Sequence, residues 1–276
     1  NVPELGHNFV RCLLADRAGR LWIGSSGGGV VRLEGGRFTR YAEREGLRSE
    51  QVSALLEDGK GRLWVGTEGG GLARSEGDRF VREPSRDALG TQIRALVEND
   101  QGLWIATDAG LARLRDGELR SYTPKEGLSR RSVRSLFQGR AGGLWIGTDD
   151  GLNRLEGDRF TVFTTKQGLT SNVIVALRED RAGTLWIGTD GGGLNRMKDG
   201  RFTAFTSRDG LSNDTVYALL EDREGSLWLG TNLGGLNRLR NGRFTPLGPP
   251  EGLSTDFARA VLEDREGNLW IGTEGG

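Results

Sequence analysis

Residues 210–244 read GLSNDTVYALLEDREGSLWLGTNLGGLNRLRNGRF. With the residues just after it, this stretch holds four apolar segments, TVYALLED, SLWLGT, GLNRLR and RFTPL, each short, mostly alternating and bounded by Gly, Asp or Asn. Such segments read as the strands of a meander. Asp222-Arg-Glu-Gly225 joins the first two: aspartate hydrogen-bonds the backbone at the start of a tight turn, and glycine takes the left-handed conformation that closes it. The same Asp-x-x-Gly stands at Asp16, Asp58, Asp180 and Asp264, and is altered at Asp100-Gln-Gly102 and Gly139-Arg-Ala-Gly142. A second hairpin joins the third and fourth segments, as at Lys198-Asp-Gly200 and Arg240-Asn-Gly242.

The same pattern fills the rest of the chain. Tryptophans stand at 22, 64, 104, 145, 186, 228 and 270, spaced 40 to 42 residues apart, each inside a variant of Leu-Trp-Ile-Gly-Thr. Period-two alternation sends Leu and Ile to one face of that strand and Trp and Gly to the other, so both faces need cover. One copy cannot supply it. Ordering about 41 residues costs on the order of 60 kcal/mol at roughly 1.5 kcal/mol per residue, and a lone small sheet leaves one side wet. Stacking copies face to face and closing them into a ring removes the exposed ends. The expectation is an all-β protein, a β-propeller of four-stranded antiparallel blades. Seven blades are expected with the last incomplete, and residues 1–276 form one domain of six full repeats and a seventh partial one. The missing pair of strands lies beyond an excerpted chain, which opens without methionine, or is replaced by a segment near Val2. A parallel β-helix or other solenoid is the competing architecture, though its repeats carry fewer strands and shorter periods.

Composition narrows the function. Thirty-eight basic residues balance thirty-eight acidic ones, so the chain lacks the net charge that nucleic acid or an anionic membrane rewards. No apolar run reaches the roughly 18 residues of a membrane span, so direct membrane insertion of this segment is not expected. Cys12 is the only cysteine, which excludes an internal disulfide, and its column of Ala and Ser marks it as a small buried side chain. No cluster of His, Cys and carboxylate has metal-ligand spacing, and no cofactor is expected. The triple glycines at 27–29, 69–71 and 191–193 lie between strands, as tight loops do, and not ahead of a helix as a phosphate cradle would.

The joint spacing of Gly-Leu, the Glu-Asp turn, Leu-Trp-Ile-Gly-Thr and Gly-Leu-Asn-Arg, seen from Gly168 to Arg196, resembles the two-component regulator propeller repeat across essentially the whole chain. The resemblance implies a periplasmic or otherwise extracytoplasmic propeller, ahead of a membrane span and a histidine kinase, response regulator or diguanylate cyclase. It also implies a sensor, in several relatives one for oligosaccharides, and allows a neighbouring propeller. The Asp-x-x-Gly-x-Leu-Trp stretch is similar to the aspartate box of sialidases with one extra residue, and there the box is a structural turn. That likeness supports the fold and not an activity.

If the first strand of each copy is innermost, the Asp-x-x-Gly hairpins share one face of the disc and the Gly-Leu-Ser and Thr-Asp-Gly-Gly-Gly loops share the other. The hairpin face repeats nearly unchanged and reads as architecture. The other face varies, and its linking loops carry His7, Arg130, Arg131, Asn172, Asn213 and Asp214 among groups that can hydrogen-bond a sugar. Beside that mouth one first-strand column reads Arg11, Ser53, Arg94, Arg134, Val175, Tyr217 and Arg259. Its four arginines could clamp a carboxylate or sulfate, with Tyr217 as a flat surface for a sugar ring. The competing reading pairs them with acids on neighbouring blades. A second column, Arg32, Arg74, Arg113, Arg154, Arg196 and Arg238, is too regular for a site and suggests a salt bridge or hydrogen bond repeated between blades. The tryptophans are expected to pack on the next blade.

His7 is the only histidine and has no identifiable serine-and-acid partner, which weighs against nucleophilic catalysis. The expected function is therefore a non-catalytic, ligand-sensing propeller of a bacterial receptor that binds an oligosaccharide or other small polar ligand at the mouth. A signalling transmitter in the parent chain is the expected partner, and a homodimer is allowed. The alternatives are a protein-docking or structural propeller, a propeller lyase similar to the streptogramin enzymes, or a glycoside hydrolase using two of Asp214, Asp256 and Glu50.

Overall fold

A computed structural model describes residues 3–83 and 89–275. It contains six antiparallel sheets of four strands, spanning residues 10–41, 52–82, 93–122, 133–163, 174–205 and 216–247, with strand order following chain order in each. These are blades 1 to 6. Their first strands, Val10–Ala15, Val52–Glu57, Ile93–Asn99, Val133–Gln138, Ile174–Glu179 and Val216–Glu221, lie side by side as the inner ring.

The expectation of seven blades with an incomplete last one is corrected: there are six blades. The seventh copy forms only a two-stranded hairpin, Ala258–Glu263 with Leu269–Thr273. No strand among the described residues pairs with the free edge of Leu269–Thr273. Val2 lies outside the described residues, and the adjacent turn Pro3–Leu5 packs on blade 1 instead of completing the hairpin. The hairpin nonetheless bridges blade 6 and blade 1. Its inner strand touches both neighbours, Phe9 and Glu274 form a β-bridge, and the Arg265 guanidinium donates to the Arg17 carbonyl at 2.5 Å.

Blade contacts follow from the Leu-Trp-Ile-Gly-Thr strand. Trp22 packs with Leu63, Val65, Ala73 and Phe80 of blade 2, so the Trp face of one blade meets the Leu and Ile face of the next. The strand glycine makes that approach possible: a Cβ on Gly230 would lie 2.6 Å from the Ala258 carbonyl oxygen of the following inner strand. Blade linkers are short 3-10 turns such as Thr165–Gln167. The Thr164 hydroxyl caps this turn, Gly168 closes it at φ +111°, and the following Leu169 is buried.

The hairpin face is held by one repeated device. In five copies the turn aspartate accepts the indole N–H of its own blade's tryptophan at 2.7–2.9 Å, as Asp16 does from Trp22. Its other oxygen accepts backbone N–H groups of the turn, Ala18 at 3.0 Å and Arg20 at 2.9 Å in blade 1. Asn99 replaces the aspartate in blade 3, one residue before the Asp100 singled out by the sequence, and accepts from Trp104 at 3.0 Å. The regular third-strand arginines lie directly across from the tryptophans, as Arg154 does from Trp145. Four stack over the tryptophan ring, Arg32, Arg113, Arg154 and Arg238, at 5.2–5.8 Å from the centroid. In these four the expected bridge between blades gives way to a contact inside the blade, while Arg74 pairs with Glu76 and Arg196 lies over Phe205. Within the column, and among the described residues, only Arg32 has an ion pair to the next blade, with Asp78 at 3.7 Å.

Candidate functional site

Each inner strand breaks register once, and always at the same place: between Val10 and Cys12, Val52 and Ala54, Ile93 and Ala95, Val133 and Ser135, Ile174 and Ala176, Val216 and Ala218, and Ala258 and Ala260. The residue skipped is Arg11, Ser53, Arg94, Arg134, Val175, Tyr217 or Arg259. The irregular column is thus the ring's set of β-bulges, which re-aim a side chain without loss of the flanking pairs.

Most of this column is engaged. Arg11 pairs with Glu68 of blade 2, Arg134 with Asp149 and Arg259 with Glu274. The Ser53 hydroxyl is bonded to the carbonyl oxygens of Ile93 and Gly66. The Arg259 guanidinium sits 3.7 Å from the Tyr217 ring centroid, so it already covers one face of that ring. Arg94 differs. It donates to Ser132 Oγ of blade 4 at 2.9 Å and Gln92 Oε1 at 2.7 Å, with a longer contact to the Val133 carbonyl at 3.5 Å. No carboxylate among the described residues lies within ion-pair distance of it. Burial and the nearby Arg134 charge push its pKa down, while Asp149, Asp108 and Glu68 oppose that shift. A partly desolvated guanidinium with only neutral partners retains attraction for an anion.

The linking-loop candidates divide. Arg130 and Arg131 are exposed. His7 is exposed and accepts the Phe9 N–H through Nδ1 at 3.2 Å. Asn172 and Asp214 are equivalent, each turning an oxygen back to cap its own linker: Asn172 accepts from the Thr165 N–H at 2.9 Å and Asp214 from Ser207 at 2.6 Å. Asn213 accepts the Thr215 N–H at 2.9 Å. The structure therefore groups Arg11, Arg94, Arg134, Tyr217 and Arg259 on the inner ring, and gives Asn172, Asn213 and Asp214 hydrogen bonds within their own loops.

Two features escaped the sequence reading although both stand in alignable columns. The residue after each Leu-Trp-Ile-Gly-Thr strand is Ser26, Glu68, Asp108, Asp149, Asp190, Asn232 or Glu274, so a carboxylate occurs in five of seven copies beside the arginine column. Three of the five pair with bulge arginines. Asp108 instead accepts from Thr91 and Gln92; burial opposes its ionisation, but the Gln92 and Thr91 bonds outweigh it and its pKa falls. The next column reads Gly27, Gly69 and Gly191 in complete copies with the longer loop and Gly275 in the seventh copy, all at positive φ, and Leu233 in blade 6. Leu233 is 62% exposed at φ +59°, a conformation that costs a residue with a Cβ roughly 1–2 kcal/mol. An exposed leucine on the mouth face in a backbone state suited to glycine is a candidate contact residue.

Comparisons with known proteins bear on this geometry. The family described as two component regulator propeller matches residues 4–27, 46–69, 127–150, 168–191, 210–233 and 252–275, every copy but the third. No curated protein matches by sequence. Among solved structures, the extracellular domain assigned to the hybrid two component system BT3049 of B. thetaiotaomicron is 25% identical, with a TM-score of 0.88 over 98% of this chain and 38% of that one. The extracellular domain assigned to the one component system BT4673 of the same organism is 23% identical, with a TM-score of 0.82 over 96% of this chain and 37% of that one. Virginiamycin B lyase from Staphylococcus aureus is 17% identical, with a TM-score of 0.75 over 96% and 92%, a likeness of fold alone. Among the described residues no helix is long and apolar enough to cross a membrane. Six matched repeats that together cover just over half of the chain, on a ring of four-stranded blades, fix its kinship: the chain belongs to the two component regulator propeller family.

Proposed function

We propose that this propeller is the non-catalytic, ligand-recognising part of a bacterial receptor, placed outside the cytoplasmic membrane and coupled to a signalling transmitter in the parent protein. The sensor reading is supported by membership of the family and by the extracellular domain that resembles this chain over 98% of its length. The ligand class rests on Arg94. Its guanidinium, held by Ser132 and Gln92 and free of a carboxylate, suits the acid group of an anionic oligosaccharide, with Arg134 adding positive potential. The exposed Arg130 and Arg131 lie on the linker that enters blade 4 and extend that positive sector.

Arg94→Ala tests the proposal more cleanly than a double change with Arg134, whose loss would leave Asp149 without its ion pair. In calorimetry against a panel of uronic-acid and sulfated oligosaccharides, at least one saccharide should bind the wild type. Affinity should fall about tenfold to a hundredfold in the variant, the worth of a charged hydrogen-bonded contact, with little change in Tm. Equal affinity of both proteins for every saccharide that binds would remove Arg94 from the site.

A further inference from the structure

Gaps between complete blades are filled in a constant way. Trp22 meets Tyr41 of its own blade at a centroid distance of 5.7 Å, and Tyr41 meets Phe80 of blade 2 edge-on at 5.7 Å. The same trio recurs as Trp104, Tyr122 and Phe160, as Trp145, Phe163 and Phe202, and as Trp186, Phe205 and Phe244, all at 5.5–6.1 Å. The gap between blades 2 and 3 breaks the series. Glu83 stands in the place of Tyr41, its N–H continuing the outer-strand pairing to the Leu72 carbonyl at 2.9 Å, and Leu119 stands in the place of Phe80. Trp64 is left in a cluster whose other members are aliphatic, among them Leu72, Leu89, Leu96 and Leu103.

The cleft here measures 520 Å³, against 370 Å³ and 220 Å³ beside the filled gaps of blades 1/2 and 5/6. One wall is apolar, from Leu103, Leu114 and the buried Trp64. Glu83 also lines the cleft, with its side chain only 17% exposed, together with the cations Lys60, Arg62 and Arg115 and the acids Asp58, Glu98, Asp100 and Asp116. The ion-pair partner of Glu83 is Arg74 at 3.6 Å, and Arg74 is held more closely by Glu76 at 2.6 Å. A largely buried carboxylate whose counter-ion is shared, beside an apolar wall, selects for a flat cation.

We propose that this cleft binds a small planar aromatic cation, an arylamine or arylamidine. Its ring lies against the apolar wall of Trp64, Leu103 and Leu114, and its charged nitrogen pairs with Glu83. The site is independent of the mouth and of Arg94.

Calorimetric titration with benzamidine as the probe and benzoate as its charge-reversed counterpart tests this. Benzamidine should bind saturably at millimolar concentration, and benzoate at least about tenfold more weakly. Glu83→Gln keeps the shape and should weaken benzamidine about tenfold. The double change Glu83→Tyr with Leu119→Phe restores the aromatic trio, and should abolish binding while raising Tm. If the double variant fails to fold, Glu83→Gln alone carries the test. Absence of saturable benzamidine binding, equal binding of benzoate, or unchanged affinity in Glu83→Gln or in a folded double variant would overturn the proposal.

Discussion

On the hairpin face, Asp16, Asp58, Asp180, Asp222 and Asp264 make the same bond to the same tryptophan, within 0.2 Å of one another. On the mouth face, the seven bulge positions hold arginine, serine, valine and tyrosine, and the partners change from blade to blade. Both sets stand on the same inner and second strands. A closed internal hydrogen-bond set uses up the polarity of the regular hairpin turns, so outside the cleft between blades 2 and 3 that face has little left to offer a ligand. Where the copies differ, most of the column is still paired, but at Arg94 the guanidinium has only neutral partners and its charge capacity is unspent.

The largest way to break this comparison is to remove one aspartate. Asp16→Ala should cost about 3 kcal/mol in urea unfolding, because it deletes charge-assisted bonds from the Trp22 indole, two backbone N–H groups and Arg20, and strands a buried indole N–H. The effect has a pH signature. Burial works against ionisation of Asp16, but the Trp22 and Arg20 bonds win and hold its pKa below the ordinary carboxylate value. The unfolded chain titrates near 3.9. A depressed folded pKa stabilises fully above that value and loses its contribution as the pH falls through the folded one, which for the equivalent Asp264 is about 2. The deficit of Asp16→Ala should therefore be constant above about pH 4 and shrink below it. A deficit unchanged down to pH 2 would mean that the carboxylate charge does not carry the turn.

A smaller gain is expected from repairing the one copy in which a glycine stands in the aspartate's place. Gly139 keeps the turn, with Gly139 N–H to the Gly143 carbonyl at 3.1 Å and Gly142 N–H to Gly139 at 3.2 Å, but the Trp145 indole has no hydrogen-bond partner among the described residues. The φ of Gly139 lies outside the left-handed region, and a Cβ there would stand 3.1 Å from the indole nitrogen, a few tenths too close for rest. Gly139→Asp should raise stability by about 1.5 kcal/mol, from the added bonds and from a less flexible unfolded chain, less the small shift of the indole. Loss of stability on making it would show that blade 4 has settled around the glycine.

How far the sequence led differs between these regions for a physical reason. Strand count, hairpins, linkers and the packing of Trp22 on blade 2 were legible, because each is written in a local period repeated seven times. Blade number was not, since a repeat can be recognised by its second strand while lacking its outer two, as in the hairpin that ends at Thr273. The column from Arg11 to Arg259 could be singled out by its irregularity, yet its nature as a bulge could not, because register shifts depend on pairing and leave no mark in composition. Glu83 and Leu119 went unnoticed because they stand 36 residues apart and gain meaning only when the aromatic trio of the other gaps is known.

The smallest expected change in stability carries a sharp test of function. Leu233→Gly replaces a strained, exposed side chain by the residue found at the four equivalent positions Gly27, Gly69, Gly191 and Gly275. Relief of the left-handed backbone, worth roughly 1–2 kcal/mol, is offset by the greater freedom of glycine in the unfolded chain, leaving a net gain of about 0.5 kcal/mol. A scaffold residue would then show a slightly higher Tm and nothing else. A contact residue of the mouth should in addition lose affinity, about threefold to tenfold, for any saccharide that binds the wild type, since an exposed leucine contributes apolar area only when something covers it. Differential scanning fluorimetry and calorimetry on one preparation separate the two. A stable variant with unaltered binding would return blade 6 to the architecture and leave Arg94 as the centre of the mouth.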